Sequence, residues 1–171
     1  MTIAVVASMA TLVVVLVILY VEARLSTRNE QILRAQGAVE ASHDVYGIMR
    51  VAYPLSFVAI AIEGALSGPV SYERRLVGVA LFVLAKALKT WAIAALGSRW
   101  TFRVLVPPGQ PLVANGPYRF MRHPNYIAVC GELVGMAFMV GAPVTGVVAL
   151  MGFGGLIIAR VRVEERMLGL R

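Results

Sequence analysis

The side chains able to do chemistry lie in two stretches of the C-terminal half. The first is Gln110–Tyr126, Q-P-L-V-A-N-G-P-Y-R-F-M-R-H-P-N-Y; the second is Arg160–Leu168, R-V-R-V-E-E-R-M-L. The first carries two Arg, one His, two Tyr and three Pro between apolar segments. A plain connector needs none of these groups. Donors, rings and fixed backbone angles at the edge of apolar helices predict a pocket for a polar small molecule.

Pro124 restricts the residue before it, so His123 is expected on an extended backbone with its ring held in one direction. An isolated His that merely bonds a neighbouring carbonyl is the plainer reading. Tyr118 and Tyr126 flank it, either to enclose a flat ligand or as interfacial aromatics. Asn115-Gly116-Pro117 signals a turn where backbone can approach a ligand closely. Arg160 and Glu164 share a face if the last apolar helix continues through them. As an exposed ion pair they contribute only about 0.3–0.5 kcal/mol. At the point where a membrane helix meets the aqueous phase, Arg160 can instead hold an anionic group while Glu164 accepts hydrogen bonds.

The elements that must position these residues are apolar. Of 171 residues, 59% are hydrophobic, with mean hydropathy +0.78; soluble domains are about 45–50% apolar. The expected fold is an all-α polytopic membrane protein, one domain over 1–171 with about five transmembrane helices. Three helices and connectors fill 1–97; a polar loop, a helical hairpin and the C-terminal motif fill 98–171. Thr2–Val21 matches the ~20 residues of a membrane span and lacks the basic start of a secretory signal. Glu22–Arg50 reads as a polar connector of helical character, either solvated or lying at the interface, or else covering the loop around His123. Its stripe is Leu25, Ile32, Leu33 and Gln36, and Gly37 is its stop. Val51–Leu66 and Leu76–Gly97 are the next helices, separated by Gly68-Pro69 and an exposed turn at Ser71–Arg75. Ile127–Val140 and Val144–Ala159 form the hairpin, turned at Gly141-Ala142-Pro143; each arm is short for a full span.

Basic residues give the orientation. Five helices place Arg24, Arg28, Arg34, Arg50, Arg99, Arg103, Arg119, Arg122, Arg160, Arg162, Arg166 and Arg171 on one side, against Arg74 and Arg75 on the other. The positive-inside rule puts the richer side in the cytoplasm. The formal charge of +7 therefore reflects topology and contact with anionic membrane lipids; no nucleic-acid partner is expected. A lone Cys130 and two His make a metal centre implausible. Charges within the apolar segments are functional candidates by default. Lys89 is expected to snorkel to the cytoplasmic face, Glu132 to reach the same interface and Glu63 the opposite one, while Lys86 lies deeper. Gly131, Gly135, Gly152, Gly154 and Gly155 suggest close helix packing or a slot beside a bulky ligand.

The spacing Gly116-x-Tyr118-x-x-x-Arg122-His123-Pro124-x-Tyr126, followed by Arg160-x-x-x-Glu164-Glu165-x-x-Leu168, resembles the isoprenylcysteine carboxyl methyltransferase family. Its phospholipid-methyltransferase relatives share the pattern. The motifs cover roughly the C-terminal third, and the helix pattern is compatible throughout. The resemblance implies methyl transfer from S-adenosylmethionine to a lipidic small molecule at a cytoplasm-facing site in a bacterial inner membrane. It implies a cofactor site of Gln110, Pro111, Leu112, Val113, Tyr118, His123, Pro124, Asn125, Tyr126 and Glu164. Arg160 would be the catalytic and substrate-binding residue. Gln110 stands where the family often has His, a family Gln falls near Arg103, and the chain ends soon after Leu168. The wording Arg28-Asn29-Glu30 and Gly37-Ala38-x-Glu40 is similar to bacterial members acting on phenolic lipids such as alkylpyrones and alkylresorcinols. Two rivals stand beside this reading: an NADPH-dependent membrane reductase of the sterol type, and a non-enzymatic scaffold or small transporter.

Overall fold

The computed structural model describes residues 3–42 and 44–170; Thr2 and Arg171 lie outside them. Five helices carry the chain: α1 (Ile3–Ala35), α2 (Tyr46–Ser67), α3 (Tyr72–Leu96), α4 (Pro124–Val140) and α5 (Pro143–Met167). α1, α2, α5 and α3 with its 3₁₀ extension to Arg99 are long and apolar enough to cross a membrane; α4 has 17 residues and falls short. The protein is a polytopic all-α membrane protein, in line with its composition. α4 is the central helix: Ala128, Val129, Glu132, Leu133, Met136 and Val140 are all buried, and it packs chiefly on α3. A helix enclosed by protein does not need the length that lipid contact demands.

α1 is the largest departure from expectation. Its 33 residues extend about 50 Å at 1.5 Å per residue, well beyond a bilayer core of about 30 Å. The stretch after Glu22 is thus a continuation of the helix. Its buried stripe is Glu22, Ser26, Asn29 and Leu33, and only Leu33 belongs to the set expected from the sequence. This stripe holds the chain at 97–102 rather than the loop around His123. The Asn29 amide donates to the carbonyls of Trp100 (2.8 Å) and Gly97 (3.3 Å), and Ser26 Oγ accepts from the Phe102 amide at 2.8 Å. Gly37, at φ 78°, ends the turn after the helix as foreseen.

Smaller departures have local causes. Tyr72–Arg75 is the first turn of α3, because Ser71 Oγ accepts from the Arg74 amide and caps it. Pro124 and Pro143 start α4 and α5, where their fixed φ and missing N–H cost nothing. Glu63 does not snorkel: its carboxylate accepts from the Val144 and Thr145 amides at 3.1 and 2.6 Å, capping α5 from α2. A two-residue antiparallel ladder, β1 (Val39–Glu40) with β2 (Leu105–Val106), ties the α1–α2 connector to the long loop. The Arg34 guanidinium, with Arg103 beside it, holds the Glu40 carboxyl below its ordinary range.

Close packing falls on only part of the glycine set. A Cβ on Gly135 would lie 2.7 Å from the Phe82 backbone nitrogen, and one on Gly131 2.9 Å from Ala85 Cβ. Gly78, on the facing side, would meet Met139 N at 2.4 Å. Gly152, Gly154 and Gly155 have open space around them, so they do not serve close packing.

Candidate functional site: two cavities with a common wall

α5 continues past the last apolar turn, and so brings Arg160 and Glu164 beneath the loop between α3 and α4. The loop is held over them by its own bonds. Arg99 donates to the Pro111 carbonyl at 2.6 Å, and Trp100 Nε1 lies 3.4 Å from Asn125 Oδ1. Gly116, at φ 56°, lets a 3₁₀ turn (Gly116–Arg119) press against α3, where a Cβ would meet Ala95 at 2.7 Å.

Between loop and helix lies a cavity of about 480 Å³, within the ordinary range for small-molecule sites. Gln110, Pro111, Leu112, Val113, Tyr118, His123, Asn125, Tyr126 and Glu164 line it; Pro124 does not, being buried beneath as the first residue of α4. Arg99, Trp100, Arg103, Arg122, Leu168 and Leu170 also border it. Arg103 is paired to Glu40 at 2.6 Å and Glu30 at 3.4 Å, with its guanidinium over the Tyr46 ring.

His123 is the hinge between the two stretches. Its Nδ1 lies 3.4 Å from Glu164 Oε2 and its Nε2 3.5 Å from Glu165 Oε1. Its backbone, at φ −130°, ψ 58°, falls short of the extended range, because the residue must turn into α4. The hydrogen bond to Glu164 raises the imidazole pKa above 6.5, against the opposing effect of burial. Burial, with the Glu164 charge beside it, pushes the Tyr118 phenol up. Tyr126 donates its hydroxyl to Glu164 and receives the Arg160 Nε–H at 3.2 Å.

Arg160 is buried at 3% exposure and engaged on all sides. Its terminal nitrogens meet the Asp44 carboxylate and the Phe102 carbonyl, each at 2.5 Å, and its Nε lies 3.3 Å from Glu164. Nothing in the sequence around Asp44 marks it as the partner of a residue on the last helix.

A second cavity, of about 510 Å³, lies on the other side of Tyr126. Thr101, Asn125 and Tyr126 border both. α1 contributes Leu16, Leu19 and Tyr20 to it, α2 Met49, Tyr53 and Pro54, α3 Lys89, and α5 Phe153 and Arg160. Lys89 and Glu132 do not reach an interface: they are 1% and 0% exposed. They belong to a buried quartet with Glu22 and Lys86. Lys86 Nζ lies 2.8 Å from Glu22 and 2.7 Å from Glu132; Lys89 Nζ lies 2.7 Å from Glu22 and 3.2 Å from Glu132. The deeper Lys86 thus has two partners, neither of which its own helix supplies.

Fold and site define a polytopic helical membrane protein with two adjoining cavities that share Thr101, Asn125 and Tyr126 as a wall. Comparison with known proteins names the family. The model of the isoprenylcysteine carboxyl methyltransferase (ICMT) family matches residues 78–169, more than half of the chain, and the chain belongs to that family. The match supports a membrane methyltransferase. The chain is 31% identical over 150 residues to the uncharacterised protein YpbQ of Bacillus subtilis, covering 86% of this chain and 88% of the relative. It is 24% identical over 156 residues to an uncharacterised protein of Haemophilus influenzae, covering 91% of each.

Proposed function

We propose that the protein transfers a methyl group from S-adenosylmethionine to an oxygen of a lipidic acceptor, a carboxylate or a phenolic hydroxyl. The observation that carries this reading is the meeting of His123 and Glu164 across one hollow, Nδ1 to Oε2 3.4 Å. The donor set of the first cavity fits such a cofactor. An aromatic base finds rings and apolar walls at Tyr118, Leu112 and Val113, hydroxyl or ammonium groups find the Glu164 carboxylate, and a carboxylate finds the Gln110 amide and the Arg122 guanidinium. His123, Pro111, Asn125 and Tyr126 would complete its enclosure, and Pro124 fixes the helix start that presents them.

When bound, the cofactor supplies a methyl group on a sulfonium sulfur, open to in-line displacement, so positioning carries much of the catalysis. The residues of this chain do the positioning. Tyr126 and Asn125 stand in the wall between the cavities, so an acceptor in the second cavity would lie beside the cofactor in the first. Arg160 lines the second cavity with its guanidinium held by Asp44, Phe102, Tyr126 and Glu164, so it would act on the acceptor by fixing the wall against which the acceptor lies. Its bonds to Tyr126 and Glu164 link the acceptor side to the cofactor side. The apolar walls exclude water, which strengthens these electrostatic interactions. The basic residues cluster at this end of the bundle, which supports a site facing the cytoplasm of a bacterial inner membrane.

Incubating membranes that hold the protein with methyl-labelled S-adenosylmethionine tests the reading. Label in the lipid extract, absent with Glu164→Ala, is the expected result. Label that does not depend on the protein, or is unchanged in the variant, would overturn it.

A further inference from the structure

The quartet of charges between α1, α3 and α4 takes no part in the chemistry above, yet one member borders the second cavity. Two ammonium groups and two carboxylates balance, which lets them stay charged among apolar helices. The Tyr53 hydroxyl adds a bond to Glu132 at 2.7 Å. Balance alone requires only that the four close on one another, as Lys86 does. Lys89 differs, because it also lines the cavity, with its Nζ 5.4 Å from the centre of the Tyr53 ring. An ammonium has three N–H donors. Glu22 accepts one at 2.7 Å and Glu132 stands 3.2 Å away as an ion-pair partner, so the carboxylates do not use up the donors of Lys89.

Among the described residues, the charged side chains that line this cavity are Arg50, Lys89 and Arg160, with no Asp or Glu beside them. Arg160 already spends its guanidinium on Asp44, Phe102, Tyr126 and Glu164. Arg50 is exposed at the rim, whereas Lys89 is buried, so a ligand oxygen deep in the cavity finds its cation at Lys89. Apart from Thr27, Thr101 and Asn125 the remaining wall is apolar and aromatic, and at its α1 edge Leu16 and Tyr20 are 36% and 63% exposed.

We propose that Lys89 is a positioning and specificity residue for the acceptor. Its ammonium, set in place by Glu22 and Glu132, donates to the head of an amphiphile whose tail lies between α1 and α2. The acceptor class is a single-tailed lipid with an acidic oxygen head, carboxylate or phenol; a cationic head is repelled. The assignment rests on the methyl-transfer reading for the fate of that oxygen, and binding is measured separately from it.

The test uses purified protein in lipid nanodiscs and a pentadecylphenol bearing a diazirine, competed by pentadecylphenol, hexadecanoate or hexadecyltrimethylammonium. In the wild type, crosslinks are expected on α1 and α2 around Leu16, Met49 and Tyr53, competed by either acidic amphiphile and not by the quaternary amine. The phenol and hexadecanoate arms tell which oxygen head the cavity takes. Two charge-balanced variants then separate a direct contact from a structural role. Lys89→Met with Glu22→Gln is expected to weaken probe affinity about tenfold or more, the loss of a charged hydrogen bond. Lys86→Met with Glu22→Gln, which removes the same charges but keeps Lys89 beside Glu132, is expected to cost less than about threefold on that scale. Both variants should bind S-adenosylmethionine as the wild type does. Equal losses in the two variants, equal competition by the amine, or crosslinks elsewhere would each overturn the proposal. Should the Lys89 variant fail to fold, the wild-type crosslink map and competition series decide alone. Loss of cofactor binding in the wild type would sink the methyl-transfer reading and leave this one standing on its own data.

Discussion

His123 shows what a single side chain gains from two distant carboxylates. Glu164 and Glu165 face its two ring nitrogens, and the first of them raises the imidazole pKa. The protonated form is therefore stabilised in the folded protein. That contribution is fully present below the ordinary pKa of 6.5 and is lost as pH rises through the raised folded value. Thermal stability should accordingly fall over that window, and His123→Gln should flatten the profile; an identical profile in the variant would contradict the assignment. His123, Tyr126 and Glu164 were legible in the sequence, because a fixed spacing of rare polar residues in an apolar chain carries information. Asp44 was not. It is a lone acid in a polar connector, and its 116-residue separation from Arg160 leaves no local pattern. Glu63, Glu132 and Lys89 were misplaced for the same reason: a charge in an apolar run suggests snorkelling until the partner on another helix is known.

Among elements, the contact between α3 and α4 sets the frame on which the loop sits. Gly78 and Gly135 let the two backbones approach so closely that a side chain at either must move the opposite helix. Gly135→Val should lower stability by about 1–3 kcal/mol, as overpacking does. Gly154→Ala, where nothing lies within 4 Å, should stay within about 0.5 kcal/mol of the wild type. Thermal unfolding in detergent compares them, and equal shifts would contradict the packing. Helix ends were readable at Gly37 and Gly141, where glycine takes a positive φ. The length of α1 was not, since polar residues after Glu22 read as solvated when they in fact serve the backbone of the chain at 97–102. The β1–β2 ladder, two residues on each strand, is too short to leave a pattern of alternation.

For the whole molecule, the buried quartet ties α1, α3 and α4 into one unit inside the apolar layer. Removing one partner leaves an uncompensated charge, so Glu132→Ala should cost about 3–5 kcal/mol. Removing a Lys and a Glu together should cost less. Thermal unfolding of the single and paired variants checks this, and additive losses would contradict it. Orientation is tested by a cysteine at Arg162, which is exposed at the basic end. In a Cys130→Ala background, a membrane-impermeant thiol reagent should label it only from the cytoplasmic side.

The central claim is that the polar loop and the last helix together form a binding site for S-adenosylmethionine. Calorimetric titration of the purified protein in nanodiscs reads this directly, with His123→Ala and Glu164→Ala alongside and NADPH as the competing ligand. The wild type should bind S-adenosylmethionine, ignore NADPH, and lose the interaction in both variants. Unchanged affinity in both variants, or binding of NADPH in place of S-adenosylmethionine, would contradict the account.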